Sequence, residues 1–444
     1  MSRVLFLAYY FPPIGGAGVQ RSVKFARYLP ENGWQPVVVT GPGAASGRWT
    51  PRDETLHDEL PDGIEVVRVP GPEPPAANGW EGRLERWARR RTAWSRWWTE
   101  GAVETGRSLE GIDVVYASMS PWDSGEAAAR LAELLGVPWV ADLRDPWALD
   151  EMLAYPSTVH RRLELRRMGR LLSRADAVVM NTPEAAAQAR RAFPSLAEER
   201  VYAIPNGYDA ADFAAPPPVR DDDAFRIVHT GYLHTAVRKE ERSARVRRVL
   251  GGTLGDVDVL PRSHVFLLEA VRGLLRESPD AGRSVEIHLA GELTEEDERE
   301  IDLDVVHTHG YLDHASTVAL MRSADLLFLP MHDLPAGQRA RIVPGKTYEY
   351  LASGRPILAG VPDGDARDLL AASGTALLCR PSDAKAMKEA IAGRLDARGN
   401  GDAQLGPVDA TLLGRYERRA LTRELAAVLD RVSTNPRGTT RGAA

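Results

Sequence analysis

Short apolar runs alternate with helical stretches along this chain, and the alternation starts twice. VLFLAYY (4–10), WQPVVVTG (34–41), IEVVRV (64–69), DVVYAS (113–118), PWVADL (138–143) and DAVVMNT (176–182) read as strands, and segments such as GEAAARLAELLG (125–136) read as helices between them. Strands that alternate with helices pair in parallel, because each parallel neighbour needs a crossover, and the crossover helices cover both faces of the sheet. The order breaks at 201–225, where a proline run and an acidic run read as a linker. It then restarts with RIVHTGYL (226–233), SVEIHLAG (284–291), DLLFLP (325–330), RPILAGVP (355–362) and TALLC (375–379). The expected architecture is α/β, with two Rossmann-like doubly wound domains and a cleft between the carboxyl ends of their strands.

The expected boundaries are an N-terminal domain over 1–205, a linker over 206–225 and a C-terminal domain over 226–412. A closing helix over 413–433 is expected to return to the first domain, with a disordered tail over 434–444. A length of 444 residues suits two cores of about 200 residues each. The basic, then glycine-rich stretch 236–260 reads as an insertion.

A net charge of -6 gives no reason to expect nucleic acid as a partner. The single cysteine, Cys379, excludes a disulfide framework or a zinc–thiolate cluster and fits a reducing cytoplasm. No apolar run approaches the ~18–20 residues of a membrane span. The acidic run Asp221–Asp223 reads as a solvated loop rather than a metal site.

After the first strand comes FPPIGGAGVQR, with Gly15, Gly16 and Gly18 leading into a helix. The dinucleotide fingerprint is incomplete. Arg21 stands where its third glycine belongs, and the second strand ends in Thr40 and Gly41 with no acid to hold a ribose. Three glycines still allow close backbone approach to a ligand at a helix N-terminus, where phosphate or another anion is favoured. Asp142, Arg144 and Asp145 lie at the carboxyl end of the PWVADL strand and are expected at the cleft, orienting an acceptor hydroxyl; an ion pair within this run is the structural alternative.

FPPIGGAGVQR, ADLRDPW (141–147), IPNGYD (204–209), HTGYL (229–233) and above all VPGKTYEYLASGRPIL (343–358) together resemble family-4 glycosyltransferases. These are retaining GT-B enzymes that use nucleotide sugars, and the variety resembled is that of bacterial surface-polysaccharide assembly. The resemblance implies that the glycine turn approaches the donor phosphate and sugar, and that Glu349 holds the ribose hydroxyls as a bidentate acceptor. It implies that Arg262, with Lys346 and Arg238 or Lys239 as further candidates, faces the diphosphate. Fixed cations would then stabilise the leaving group with no metal or other cofactor. Two departures stand out. Arg341 occupies the place of the family's first glutamate, and Trp122 and Asp123 stand where relatives often carry a histidine near the reacting sugar. Asp123 is the candidate to replace that histidine.

One stretch lies outside this scheme. Trp80, Leu84, Trp87, Trp94 and Trp98 recur at helical spacing, among six arginines and two glutamates between 80 and 98. One continuous basic amphipathic helix would suit an anionic membrane surface, and packing on the N-terminal domain is the alternative.

The function expected from all this is transfer of a sugar from a nucleotide diphosphate donor to a glycan or lipid-linked acceptor, in the cytoplasm or at the inner face of the membrane. A sugar-nucleotide 2-epimerase and a catalytically silent nucleotide-sugar scaffold are the rival readings.

Overall fold

The computed structural model describes residues 1–43, 50–74, 92–236, 257–278, 284–400, 406 and 408–434. Two compact units result. The first comprises Met1–Asp150, Thr158–Asn206 and the chain from Arg418; the second comprises Glu151–Ser157 and Gly207–Glu417.

The first unit holds strands β1 (Ser2–Leu7), β2 (Trp34–Thr40), β3 (Glu65–Arg68), β4 (Val114–Ser118), β5 (Trp139–Leu143), β6 (Ala177–Met180) and β7 (Val201–Ala203). They form one sheet in the order β3-β2-β1-β4-β5-β6-β7, and every pairing is parallel. Both faces are covered, so the strands are apolar throughout rather than alternating. Leu5 and Leu7 point into one core with Val115, Ala117 and Trp98. Val4 and Phe6 point into the other with Val114, Tyr116 and the C-terminal helix. That helix, Arg418–Thr434, buries Leu421, Leu425, Val428, Leu429 and Val432. This apolar stripe stabilises its docking by roughly 1.5–3 kcal/mol per large side chain.

The second unit holds β8 (Phe225–Thr230), β9 (Val285–Ala290), β10 (Val306–Thr308), β11 (Leu326–Pro330), β12 (Ile357–Gly360) and β13 (Ala376–Cys379). Their order is β10-β9-β8-β11-β12-β13, again wholly parallel. Residues 207–225, read from sequence as a connection, belong to this unit, where Asp209 caps a short helical turn by accepting from the Ala211 N–H. Ligands of such sheets bind where the strand order reverses. In the first unit that is between β1 and β4, and in the second between β8 and β11.

Candidate functional site

The glycine turn leaves β1 at its carboxyl end. Phe11 and Ile14 anchor it in the core. The Gly15 N–H donates to the Pro51 carbonyl at 2.7 Å, and the Asp53 N–H to that of Pro13 at 2.8 Å. Gly16 adopts φ 93°, a conformation costly for a residue with a Cβ, and gives the helix Ala17–Tyr28 no side-chain cap. Gly18 lies against the Arg144 guanidinium, where a Cβ would collide. The turn and the loop after β5 are therefore one assembly at the reversal point of the first sheet. Arg144 also reaches Ser120 Oγ and Asp145, at 3.2 Å each, and Asp145 is partly exposed.

Asp142 corrects the expectation placed on it. It is fully buried, and its two oxygens take a bidentate pair from Arg21 at 2.7 and 2.8 Å. The Tyr116 hydroxyl donates to the same carboxylate at 2.5 Å. Neither oxygen is left for an acceptor sugar, and this ion pair joins β5 to the first helix, while the pair inside the 142–145 run is that of Arg144 with Asp145. Burial and the neighbouring Asp142 charge hold the Tyr116 hydroxyl well above its usual range, so it remains a donor. Arg21 also donates to the Pro205 carbonyl at 2.7 Å.

Asp123 opens the helix Asp123–Leu135. It accepts from Ser95 Oγ at 2.6 Å and from Arg167 at 3.3 Å, which ties together the helices Ala93–Arg107, Asp123–Leu135 and Thr158–Leu172. Beside it, Trp122 stacks on Trp147 with ring centroids 5.3 Å apart.

The tryptophan stripe is not one helix. Thr92 is extended, and its side chain caps the helix Ala93–Arg107 by accepting from the Ser95 N–H. Trp98 is fully buried with its indole donating to Ser124 Oγ at 3.1 Å, and Trp94 packs edge-on to Tyr9. Trp80, Leu84 and Trp87 lie outside the described residues, as do Arg238 and Lys239.

In the second unit, Gly231 follows β8, Arg262 precedes the crossover helix Val265–Glu277, and Lys346 and Glu349 lie on the helix Lys346–Ala352 after β11. All are at the β8–β11 reversal. Lys346 Nζ lies 3.3 Å from His229 Nε2, and His229 Nδ1 lies 3.0 Å from the Phe328 carbonyl. A carbonyl only accepts, so Nδ1 carries the proton and Nε2 offers its lone pair to the lysine. Burial, then the lysine charge, hold His229 neutral, well below its usual range. Lys346 is pushed down to about 7 by burial and by the Arg262 guanidinium, with Glu349 opposing. The residue as a whole keeps intermediate exposure, but its ammonium end is enclosed by His229 and Gly231, and it is the ammonium that titrates. Gly231 has φ 96°, and a Cβ there would lie 2.8 Å from Lys346 Nζ. Arg262 is held by Met152 Sδ at 3.1 Å. No hydrogen bond to the Glu349 carboxylate is found among the described residues.

Sequence reasoning did not find His229, which fixes the lysine, or Glu151. Glu151 is buried, accepts from the Arg341 N–H at 3.0 Å and lies 3.5 Å from the Arg341 guanidinium. His332 is 3.3 Å away. Burial alone would raise the Glu151 carboxyl, but His332 and the Arg341 N–H hold it below its usual range. The arginine that departs from the family pattern thus has a carboxylate of its own. Its partner's position, 190 residues earlier, gives no sequence signal.

Comparison with known proteins accords with this geometry. Residues 15–207 match the glycosyl transferase 4-like domain, and residues 251–396 match the glycosyl transferases group 1 domain. No curated protein matches the sequence. Among solved structures, sucrose-phosphate synthase from Thermosynechococcus elongatus is similar with a TM-score of 0.66 at 15% identity, over 98% of this chain and 100% of that one. Anabaena HepE in complex with UDP and glucose gives 0.62 at 16% identity, over 97% and 100%. UDP-GlcNAc 2-epimerase from Neisseria meningitidis, bound to UDP-GlcNAc, gives 0.52 at 13% identity, over 97% and 99%. With both domains matched in order and two doubly wound sheets of the GT-B kind, the chain belongs to the family-4 glycosyltransferases.

Proposed function

We propose that this protein is a retaining glycosyltransferase that moves a sugar from a nucleotide diphosphate donor, of the uridine type, to a glycan or lipid-linked acceptor in surface-polysaccharide assembly. The observation that carries the reading is the cluster at the β8–β11 reversal. Arg262 and Lys346 are close enough for each to feel the other's charge, and Glu349 stands one turn along the same helix, its carboxylate accepting no hydrogen bond among the described residues. Two neighbouring cations suit a diphosphate. A carboxylate nearby suits the vicinal hydroxyls of a ribose, accepting from both. The uridine base is proposed because the Anabaena and Neisseria proteins of like fold are seen with UDP and UDP-GlcNAc.

As the glycosidic bond breaks, negative charge grows on the β-phosphate. Arg262 and Lys346 are fixed donors for that charge, so a divalent cation is not required. His229 keeps the lysine aimed by accepting from it. In the first unit, the partly exposed Arg144–Asp145 pair can orient an acceptor hydroxyl, with Gly18 making room for the guanidinium. No helix among the described residues is long and apolar enough to cross a membrane. The protein is proposed to work in the cytoplasm, where nucleotide sugars are made.

The test is a thermal-shift panel of nucleotides and nucleotide sugars, with donor hydrolysis and the anomeric configuration of the product followed by NMR. A shift with a uridine diphosphate sugar and a product of unchanged anomeric configuration support the reading. An inverted product removes the retaining assignment, and no shift with any donor removes the donor site.

A further inference from the structure

The outer edge of the second sheet carries a cluster that sugar transfer does not use. Strands β9 and β10 pair in parallel, with His307 opposite His288. Side chains two residues apart share a face of a sheet. Glu286 and His288 from β9, and His307 and His309 along β10, therefore converge on one side. Val228 pairs with His288 and His229 with Leu289, so this is the opposite face from His229 and Lys346. The cluster is separate from the proposed donor site.

Its geometry is that of a partly assembled ligand set. Ligand atoms of Glu286, His288 and His307 all lie within 4.8 Å of one another. His288 Nε2 is 3.0 Å from Glu286 Oε2, and His288 Nδ1 is 2.9 Å from His309 Nε2. Around a tetrahedral ion with bonds near 2.1 Å, ligand atoms stand about 3.4 Å apart, so closure requires only side-chain movement. His307 is exposed and Glu286 partly so, which leaves an entry path and a fourth position for water. Arg226 lies 3.8 Å from Glu286 but also pairs with Asp222 at 3.1 Å, so it keeps a partner when Glu286 turns to a cation.

We propose that Glu286, His288 and His307 bind one zinc-class divalent ion at the β9–β10 edge, with His309 orienting the His288 ring. Two imidazoles and a carboxylate suit Zn²⁺ or Co²⁺ and do not suit Mg²⁺ or Ca²⁺, which demand oxygen. Ligation at His288 Nε2 moves that ring's proton to Nδ1. From there it donates to His309 Nε2, whose own proton shifts to Nδ1. Both imidazoles stay neutral, and the outer histidine holds the ligand as outer partners of metal-bound histidines do. The ion would clamp the three-residue edge strand β10 to β9.

The experiment is titration of the full-length, untagged, metal-free protein with Co²⁺, read by visible d–d absorption and checked by Zn²⁺ displacement. The proposal expects one Co²⁺ per chain. His307→Gln, an exposed position, abolishes the band with unchanged far-UV circular dichroism, and Glu286→Gln does the same. His309→Gln keeps the stoichiometry and weakens binding by about 10–100-fold. His57→Gln, at an exposed histidine elsewhere, leaves the titration unchanged. Absence of a band in the wild type, or a band that survives His307→Gln, overturns it.

Discussion

The Lys346 ammonium is placed by a neutral histidine: Nζ lies 3.3 Å from His229 Nε2, and the His229 ring is fixed by the Phe328 carbonyl. With Arg262 beside it and burial around it, this lysine titrates at about 7 in the free protein. A bound diphosphate favours the charged form and raises that value. Nucleotide binding is therefore expected to take up a proton above pH 7. UDP affinity should be flat below pH 7 and fall as pH rises toward 9. Calorimetry at pH 8 in buffers of different ionisation enthalpy should show uptake approaching one proton in the wild type and none in Lys346→Ala. Equal heats in all buffers would contradict it. The folding linkage has the opposite direction. The unfolded chain binds this proton more tightly, so between about pH 7 and the ordinary lysine range the free protein gains stability as pH rises.

Glu349→Ala should weaken nucleotide-sugar binding with little effect on stability. A hydrogen bond to a charged group contributes about 1.5–3 kcal/mol, which corresponds to roughly 10- to 150-fold in donor affinity. Glu349 sits half-exposed on its helix. Its melting temperature should therefore stay near that of the wild type, and a tight-binding variant would remove the ribose role.

Asp142→Ala should do the reverse. It strands the Arg21 guanidinium in the core and removes the acceptor of the Tyr116 hydroxyl. Breaking one side of a buried pair costs about 3–5 kcal/mol. Urea unfolding of the first unit should show a loss of that order. The purified folded fraction should retain its donor affinity.

Gly231→Ala should cost nucleotide affinity. It introduces a Cβ at φ 96° and 2.8 Å from Lys346 Nζ, driving the lysine off His229. The expected signature is loss of the proton uptake at pH 8 together with weaker UDP binding. Unchanged uptake would show that the lysine does not need this space.

Trp98→Ala should destabilise the first unit by about 3–5 kcal/mol, because a fully buried indole and its bond to Ser124 are both lost. Trp97→Ala should cost less, since Trp97 is half-buried and donates only to the Pro70 carbonyl. Paired denaturation curves check the order.

The sheets were legible because parallel strands covered on both faces are apolar without interruption. The strand runs from VLFLAYY to TALLC that sequence reading picked out are all strands. The two it missed, β7 and β10, are three-residue edge strands, too short to display a pattern. Trp94 and Trp98 pack on the first unit, as the second reading of the tryptophan stripe expected, but the single continuous helix failed for a local reason. The spacing from Trp80 to Trp98 is helical, but Thr92, three residues before Ser95, is a cap that starts a new helix inside it. Charge partners were hidden by distance along the chain: Arg21 and Asp142 are 121 residues apart, and Lys346 and His229 are 117. A short motif indicates which side chain carries charge, but only folding shows what neutralises it. Asp142 therefore read as orienting an acceptor hydroxyl, or as pairing within its own run, and is a strut paired with Arg21, while Lys346 and Glu349, three residues apart on one helix, could be placed together in advance.

The most direct test of the account is transfer itself. The wild type and Glu349→Ala are each incubated with a panel of nucleotide sugars radiolabelled in the sugar, together with a glycolipid extract, and label in the glycan fraction is counted alongside released nucleotide diphosphate. One donor is expected to label the glycan in step with nucleotide release, and Glu349→Ala to lower both by tenfold or more. Label that stays in the nucleotide-sugar or free-sugar pool with every donor, or transfer equal in the variant, would contradict it.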